Sequence, residues 1–217
     1  MSVNVSPSEV AAPATLPASI RASGALKLVV VHTDSGSAAE DIAEGGPLRV
    51  RFPRIRDERL EAILINTAGG IVGGDRLEFR IEAREDASLG ITSQAAEKIY
   101  RSNGLTSRIS VSRKAEAGSE LFWLPQETIL FDHARVERAI EAEVSSGASL
   151  AICEAVVFGR DAMGEKVTRG LWRDRWRIRR DGKLILRILA EDSITLRSAV
   201  LSALEAAGTP PPRAYSL

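Results

Sequence analysis

The run Asn66-Thr67-Ala68-Gly69-Gly70-Ile71-Val72-Gly73-Gly74-Asp75 places four glycines ahead of a carboxylate, between two strand-like apolar runs. Glycine opens backbone conformations at φ > 0 and admits a ligand or another backbone where a Cβ would clash. Such a segment could cradle a phosphate. A P-loop, however, requires Lys-Ser/Thr after its last glycine, and here Asp75-Arg76 follows. A dinucleotide fingerprint forced onto Ala68, Gly70 and Gly73 would have to open a helix facing the pyrophosphate. Instead Leu77, Phe79, Ile81 and Ala83 alternate with Arg76, Glu78, Arg80 and Glu82, the period of a half-buried strand. The spacing predicts a close-approach bend between strands; a nucleotide-dependent enzyme is the minor alternative.

Other reactive side chains are sparse. His32 and His133 have no His or Cys at metal-ligand spacing. Spacing alone leaves a Ser-His-Asp arrangement open, since triads assemble in space, but no G-x-S-x-G elbow accompanies it. Cys153 lies in the apolar run LAICEAVVF and reads as a packing residue; as the single cysteine it excludes an intrachain disulfide. Basic and acidic residues balance at 29 each, which argues against nucleic acid as an electrostatic partner. No run approaches the roughly 20 apolar residues of a membrane span, and no basic-then-apolar leader opens the chain. The expectation is a cytoplasmic, non-catalytic protein.

The elements that must position these residues are strands. Residues 1–23 are rich in Ala, Pro and Ser and read as a flexible N-terminal segment. Strands are expected over 26–32, 48–52 and 62–65. Four units of strand, turn and strand then recur, RLEFRIEAREDASLGIT, SRISVSRKAEAGSELFW, RAIEAEVSSGASLAI and LWRDRWRIRRDGKLIL. A single hairpin cannot bury its apolar face, so the units must stack. The expected fold is mainly β: stacked β-hairpins in a β-helix-like, two-layer architecture, with a generic antiparallel sandwich as the alternative. Short helices are expected at 94–102, 161–166 and 197–207. Gln94 and Tyr100 would then satisfy a helix start or face a partner. Trp123, Leu124 and Phe131 are expected in the core. Trp172 and Trp176 share a strand face with Asp174, as core or as a protein-binding patch.

Taken in order, NTAGGIVGGDRL, TSQAAEKIYRS, LFWLPQETILFDHARV, EAVVFGRDAMGE and LWRDRWRIRRDGKL resemble the urease accessory protein UreD (UreH) family. The resemblance covers about 26–186. It implies a maturation factor with a helix-like stack of strands that binds apo-urease and a UreF-type partner, which engages the UreG-type GTPase. It also implies delivery of nickel through an internal passage, with no tightly bound cofactor and only transient nickel. A plain protein-binding adaptor without nickel contact is the alternative.

A conduit for Ni²⁺ should offer weak, spaced oxygen ligands rather than a His or Cys cage. Candidates are Asp75, Glu127, Asp132 and Glu154. Glu154, flanked by Cys153, Ala155 and Val156, is expected to be partly buried, which demands a partner; Arg160, Arg175 or solvent could supply it. Asp75 reads first as a turn residue capping its own backbone, and Glu127 and Asp132 could equally serve buried N–H groups. The division expected is a flexible 1–23, a UreD-like β domain over 24–190, and a divergent or shortened segment over 191–217. The altered end predicts poor solubility without a UreF-type partner.

Overall fold

Alternation along each strand decides the architecture, because period-2 segments bury one face only when stacked. The computed structural model describes residues 21–54, 58–160 and 163–190. Among them are strands β1 (Ser23–Thr33), β2 (Gly36–Gly45), β3 (Leu48–Arg51), β4 (Leu60–Asn66) and β5 (Arg76–Ala83). These are followed by β6 (Ser88–Ser93), β7 (Glu97–Ile99), β8 (Ser107–Ala115), β9 (Glu120–Trp123) and β10 (Thr128–Leu130). The last are β11 (Arg135–Val144), β12 (Ser149–Ile152), β13 (Val156–Phe158), β14 (Leu171–Arg180) and β15 (Lys183–Ala190).

They form a seven-stranded sheet in the order β15-β14-β11-β8-β5-β1-β2, a five-stranded sheet β12-β9-β6-β4-β3, and a three-stranded sheet β13-β10-β7. From β5 to β14 the chain visits the three sheets in rotation, and each strand lies parallel to the equivalent strand of the next coil. The result is a β-solenoid, mainly β and stacked as the repeat implies. Within each of the first three repeat units the two strands go to different sheets, so pairing runs between units. Antiparallel pairing is confined to β1–β2, β3–β4 and β14–β15 among the described strands. The β14–β15 pair turns at Asp181-Gly182, both at positive φ, as an Asp-Gly hairpin requires.

The recurring turn is a corner of the solenoid. Residues 84–87, 116–119 and 145–148 each close with an N–H of the fourth residue donating to the carbonyl of the first, at 3.0, 3.0 and 3.1 Å. The third residue is left-handed each time: Asp86 at 58°, Gly118 at 71° and Gly147 at 77°. Corners stack, with Asp86 N–H on the Ala117 carbonyl at 3.0 Å. Leu89 and Leu121, just past their corners, are in register and buried.

The glycine segment makes a different bend, the return from β4 of the five-stranded sheet past β7 to β5 of the seven-stranded sheet. Ile71 bridges Ile99 in parallel, with Ile71 N–H on the Lys98 carbonyl at 2.7 Å and Tyr100 N–H on the Ile71 carbonyl at 2.8 Å. A Cβ at Gly70 would stand 2.3 Å from Tyr100 Cε2, and one at Gly73 would stand 2.1 Å from Ser102 Oγ. The close approach is therefore backbone to backbone and side chain.

Two expectations from local pattern change. Residues 94–102, expected as a helix, contain the strand β7, because Ile99 is needed in the core at 1% exposure. Residues 36–45, which lie between the strands expected at 26–32 and 48–52, form a further strand, β2, against β1 despite their weak strand composition. Segments 1–20 and 191–217, including the helix expected at 197–207, lie outside the described residues. No described helix is long and apolar enough to cross a membrane.

Candidate functional site

The interior of the solenoid holds charge. Arg113 on β8, Arg138 on β11 and Asp174 on β14 point inward, and Glu154 follows β12; their side chains are at most 5% exposed. Register places Arg138 opposite Asp174. Arg138 Nε donates to Asp174 Oδ1 at 3.0 Å, and its Nη2 donates to Oδ2 in a bidentate fork. The same guanidinium reaches Glu154 Oε2 through Nη1. Glu154 Oε1 accepts from Trp123 Nε1 at 2.7 Å and from Arg113 Nη2 at 3.4 Å. Cations and anions thus alternate as Arg113, Glu154, Arg138 and Asp174.

Aromatic faces complete the enclosure. The Arg113 guanidinium lies 4.0 Å from the Trp123 ring centre, and that of Arg138 lies 5.0 Å from the Trp172 ring centre. Burial pushes the pKa of Arg113 down, aided by the neighbouring Arg138 charge. A guanidinium starts so high that it remains cationic. Its Nε and Nη1 have no partner among the described residues, so its compensation comes from the Asp174 charge and the Nη2 contact with Glu154.

Beside this cluster is a cavity of about 410 Å³ between the sheets. Its apolar walls include Leu77, Phe79 and Val111 from the seven-stranded sheet and Leu64 and Trp123 from the five-stranded sheet. Its polar lining runs from the exposed Gln94 and Gln126, past Asn66 and Glu97, to the buried Arg138 and Glu154. Glu97 accepts from Asn66 Nδ2 at 3.1 and 3.3 Å. Burial raises the pKa of Glu97, with the Asn66 hydrogen bond opposing it.

The expected carboxylates do not converge. Glu154 lines the cavity; Asp75, Glu127 and Asp132 do not. Asp75 is 2% exposed and accepts from Ala22 N–H at 2.8 Å and Val72 N–H at 2.9 Å, pinning the glycine bend to the start of β1. Asp132 accepts from Thr168 N–H at 2.8 Å, Arg169 N–H at 3.1 Å and Thr168 Oγ1 at 3.0 Å. Those bonds, the Thr168 backbone first, hold its carboxyl well below the usual carboxylate range. Glu127 is half-buried, and its carbonyl accepts from Glu97 N–H at 2.9 Å. Among the described residues no group of three or more His, Cys, Asp or Glu could hold a metal ion.

Sequence reasoning missed Glu97 because 94–102 read as helix. As a strand, Glu97 shares a face with buried Ile99, and that period-2 relation is the signal that points it inward. Arg113, Arg138 and Asp174 were legible only as interruptions of inward rows. Trp176 and Asp174 are 2% and 0% exposed and Trp172 is half-buried, so this strand face is core rather than an open patch.

Fold and interior together define a β-solenoid scaffold with a charge-clamped, cavity-bearing core. Residues 22–209 match the family model described as UreD urease accessory protein, extending past Leu186. The urease accessory protein UreD of Rhodopseudomonas palustris strain BisA53 is 53% identical over 165 residues, 76% of this chain and 58% of the relative. That of strain HaA2 is 50% identical, over 76% of this chain and 59% of the relative. UreD of Bradyrhizobium diazoefficiens is 47% identical, over 76% of this chain and 60% of the relative. The chain belongs to the UreD urease accessory protein family. It spans under two thirds of the length of these relatives, 58–60%.

Proposed function

We propose that this chain acts in the cytoplasm as a non-catalytic urease maturation factor. It binds apo-urease and a UreF-type partner, which brings the UreG-type GTPase, while nickel in transit passes through the solenoid interior. The observation that carries this reading is the cavity between the sheets, whose lining includes two carboxylates, Glu97 and Glu154. Ni²⁺ accepts carboxylate and water oxygens, and a passage needs sites weak enough to release it. Glu97 suits this role because its raised proton affinity sets the ion in competition with a proton. Glu154, held by Arg138, Arg113 and Trp123, meets an ion only if that clamp opens. Asp75, Glu127 and Asp132 lie outside the cavity and serve as outer comparisons.

The saturation of both Glu154 oxygens favours a second reading, a protein-binding adaptor whose interior charges only shape the scaffold. Coexpression with urease and its accessory partners separates the two. Glu97→Gln, Glu154→Gln, Asp75→Asn, Glu127→Gln and Asp132→Asn are compared by copurification and by nickel content of the matured urease. The passage reading expects Glu97→Gln to assemble normally yet leave urease short of nickel. Full nickel loading by every assembled variant establishes the adaptor instead.

A further inference from the structure

The outer face of the seven-stranded sheet, opposite the interior just described, carries a basic groove of about 730 Å³. In its first outward row, Arg76 of β5 stands opposite Arg108 of β8, Arg108 opposite Glu137 of β11, and Glu137 opposite Arg173 of β14. The next outward row supplies a low floor, with Ala25, Ser110 and Ala139 in register beside Glu78, and Arg175 at its end. Small side chains in one row beside long ones in the next leave a trough running across the strands.

Four guanidiniums face two carboxylates in this trough, on a chain whose formal charge is zero. Glu137 is shared by Arg173 at 2.6 Å and Arg108 at 3.7 Å. Glu78 is taken by Arg80, at 2.6 Å. Arg76 and Arg175 have no ion pair among the described residues, so two exposed forks remain open to carboxylates. Adjacent strands are spaced by about 4.8 Å, so Arg76 and Arg175, three strands and one row apart, are separated by roughly 16 Å. An extended chain covers that span in about five residues.

We infer that this groove docks an extended acidic segment of a partner protein, with carboxylates about five residues apart on Arg76 and Arg175. Nucleic acid fits less well. Glu78 and Glu137 would oppose a phosphate backbone, and the lining has no aromatic platform for bases. The groove lies on the opposite sheet face from the cavity, so its occupancy and the nickel reading stand or fall separately.

Fluorescence anisotropy on the full chain tests it, with a short labelled peptide of alternating Glu and Ser as probe. The same peptide with Gln for Glu, and oligothymidylate, are competitors. The Glu peptide is expected to bind and to weaken as salt rises. Arg76→Glu with Arg175→Glu is expected to weaken binding by about tenfold or more. Arg180→Glu, exposed at the far end of β14, is expected to leave it unchanged. Circular dichroism confirms that the variants keep their β signal. The inference is overturned if the Glu peptide does not bind, if the Gln peptide binds as well, or if the double variant matches the parent. Tighter binding of oligothymidylate than of the Glu peptide overturns it too, making the groove a phosphate surface.

Discussion

The two ends of one inward row carry opposite chemistry. From β5 to β14 that row reads Leu77, Ile109, Arg138 and Asp174; the row begun by Leu28 and Ile81 carries charge only at Arg113 and is apolar again at Ala142 and Ile178. Backbone and register are equivalent, yet the early positions of that first row are aliphatic and the later ones ionic. Aliphatic packing is non-directional and spreads over many neighbours, so a lost methyl group affects little else. The ionic end depends on each member satisfying the next, and one deletion strands a buried charge.

The largest expected effect is therefore at the ionic end. Asp174→Ala leaves the Arg138 charge short of its bidentate partner and should cost about 3–5 kcal/mol in urea unfolding. Asp174→Asn, nearly the same shape, should recover little of that loss. The paired change Arg138→Met with Asp174→Leu should recover part of it, because both charges go together while Glu154 keeps Trp123 and Arg113 but loses the Arg138 donor. Were the asparagine variant as stable as the parent, shape rather than charge would hold this end.

At the aliphatic start of the other row Leu28→Ala should cost about 2–5 kcal/mol through cavity formation, whereas Leu28→Met should cost less than about 1.5 kcal/mol. That tolerance of shape-conserving change is the contrast with Asp174→Asn. The glycine bend comes next. Gly73→Ala sets a Cβ 2.1 Å from Ser102 Oγ and should cost about 1–3 kcal/mol by overpacking. Gly69→Ala meets nothing within 4 Å, and its left-handed backbone alone should cost about 1 kcal/mol.

The smallest effects are in pH dependence. The folded pKa of Glu97 lies above its ordinary 4.5, so the folded chain binds more protons there than the unfolded chain. That contribution favours folding as pH drops towards 4.5 and is lost as pH rises through the folded value. Glu97→Gln should flatten this part of a melting-temperature profile above pH 4.5. Asp132 has the opposite sign. Its depressed pKa stabilises the fold above the ordinary 3.8, and the stabilisation is lost as pH falls below it. Asp132→Asn should reduce acid sensitivity, and an unchanged acid limb would show that its bonds to Thr168 and Arg169 do not contribute to folding.

Much of the fold was legible because corners and alternation are local. The left-handed third residue of each corner is written as Asp86, Gly118 and Gly147, and inward residues follow at period two. Less legible was β7, where Gln94–Ala95–Ala96 favours helix and pairing with Thr128–Leu130 on one side and Ile71 on the other makes Glu97–Ile99 extended. Strand β2 was hidden for the same reason, since GSAAEDIAEG acquires its pairing from β1. Of the candidate site, Glu154 was legible as a carboxylate inside an apolar run, while Glu97 was concealed by the helix pattern around it.

The sequence by itself determined the family, the β class, the coil repeat and the role of the glycines as a bend, because these rest on residue type and short-range spacing. Tertiary structure decided which strand pairs with which, that Asp75 and Asp132 are spent on backbone N–H groups, and that Arg113, Glu154, Arg138 and Asp174 meet. Arg113, Arg138 and Asp174 lie on successive coils, and Glu154 follows Arg138 half a coil later. The parallel register between coils brings Arg113, Arg138 and Asp174 onto neighbouring strands and the adjoining sheet supplies Glu154, and no local periodicity encodes that meeting.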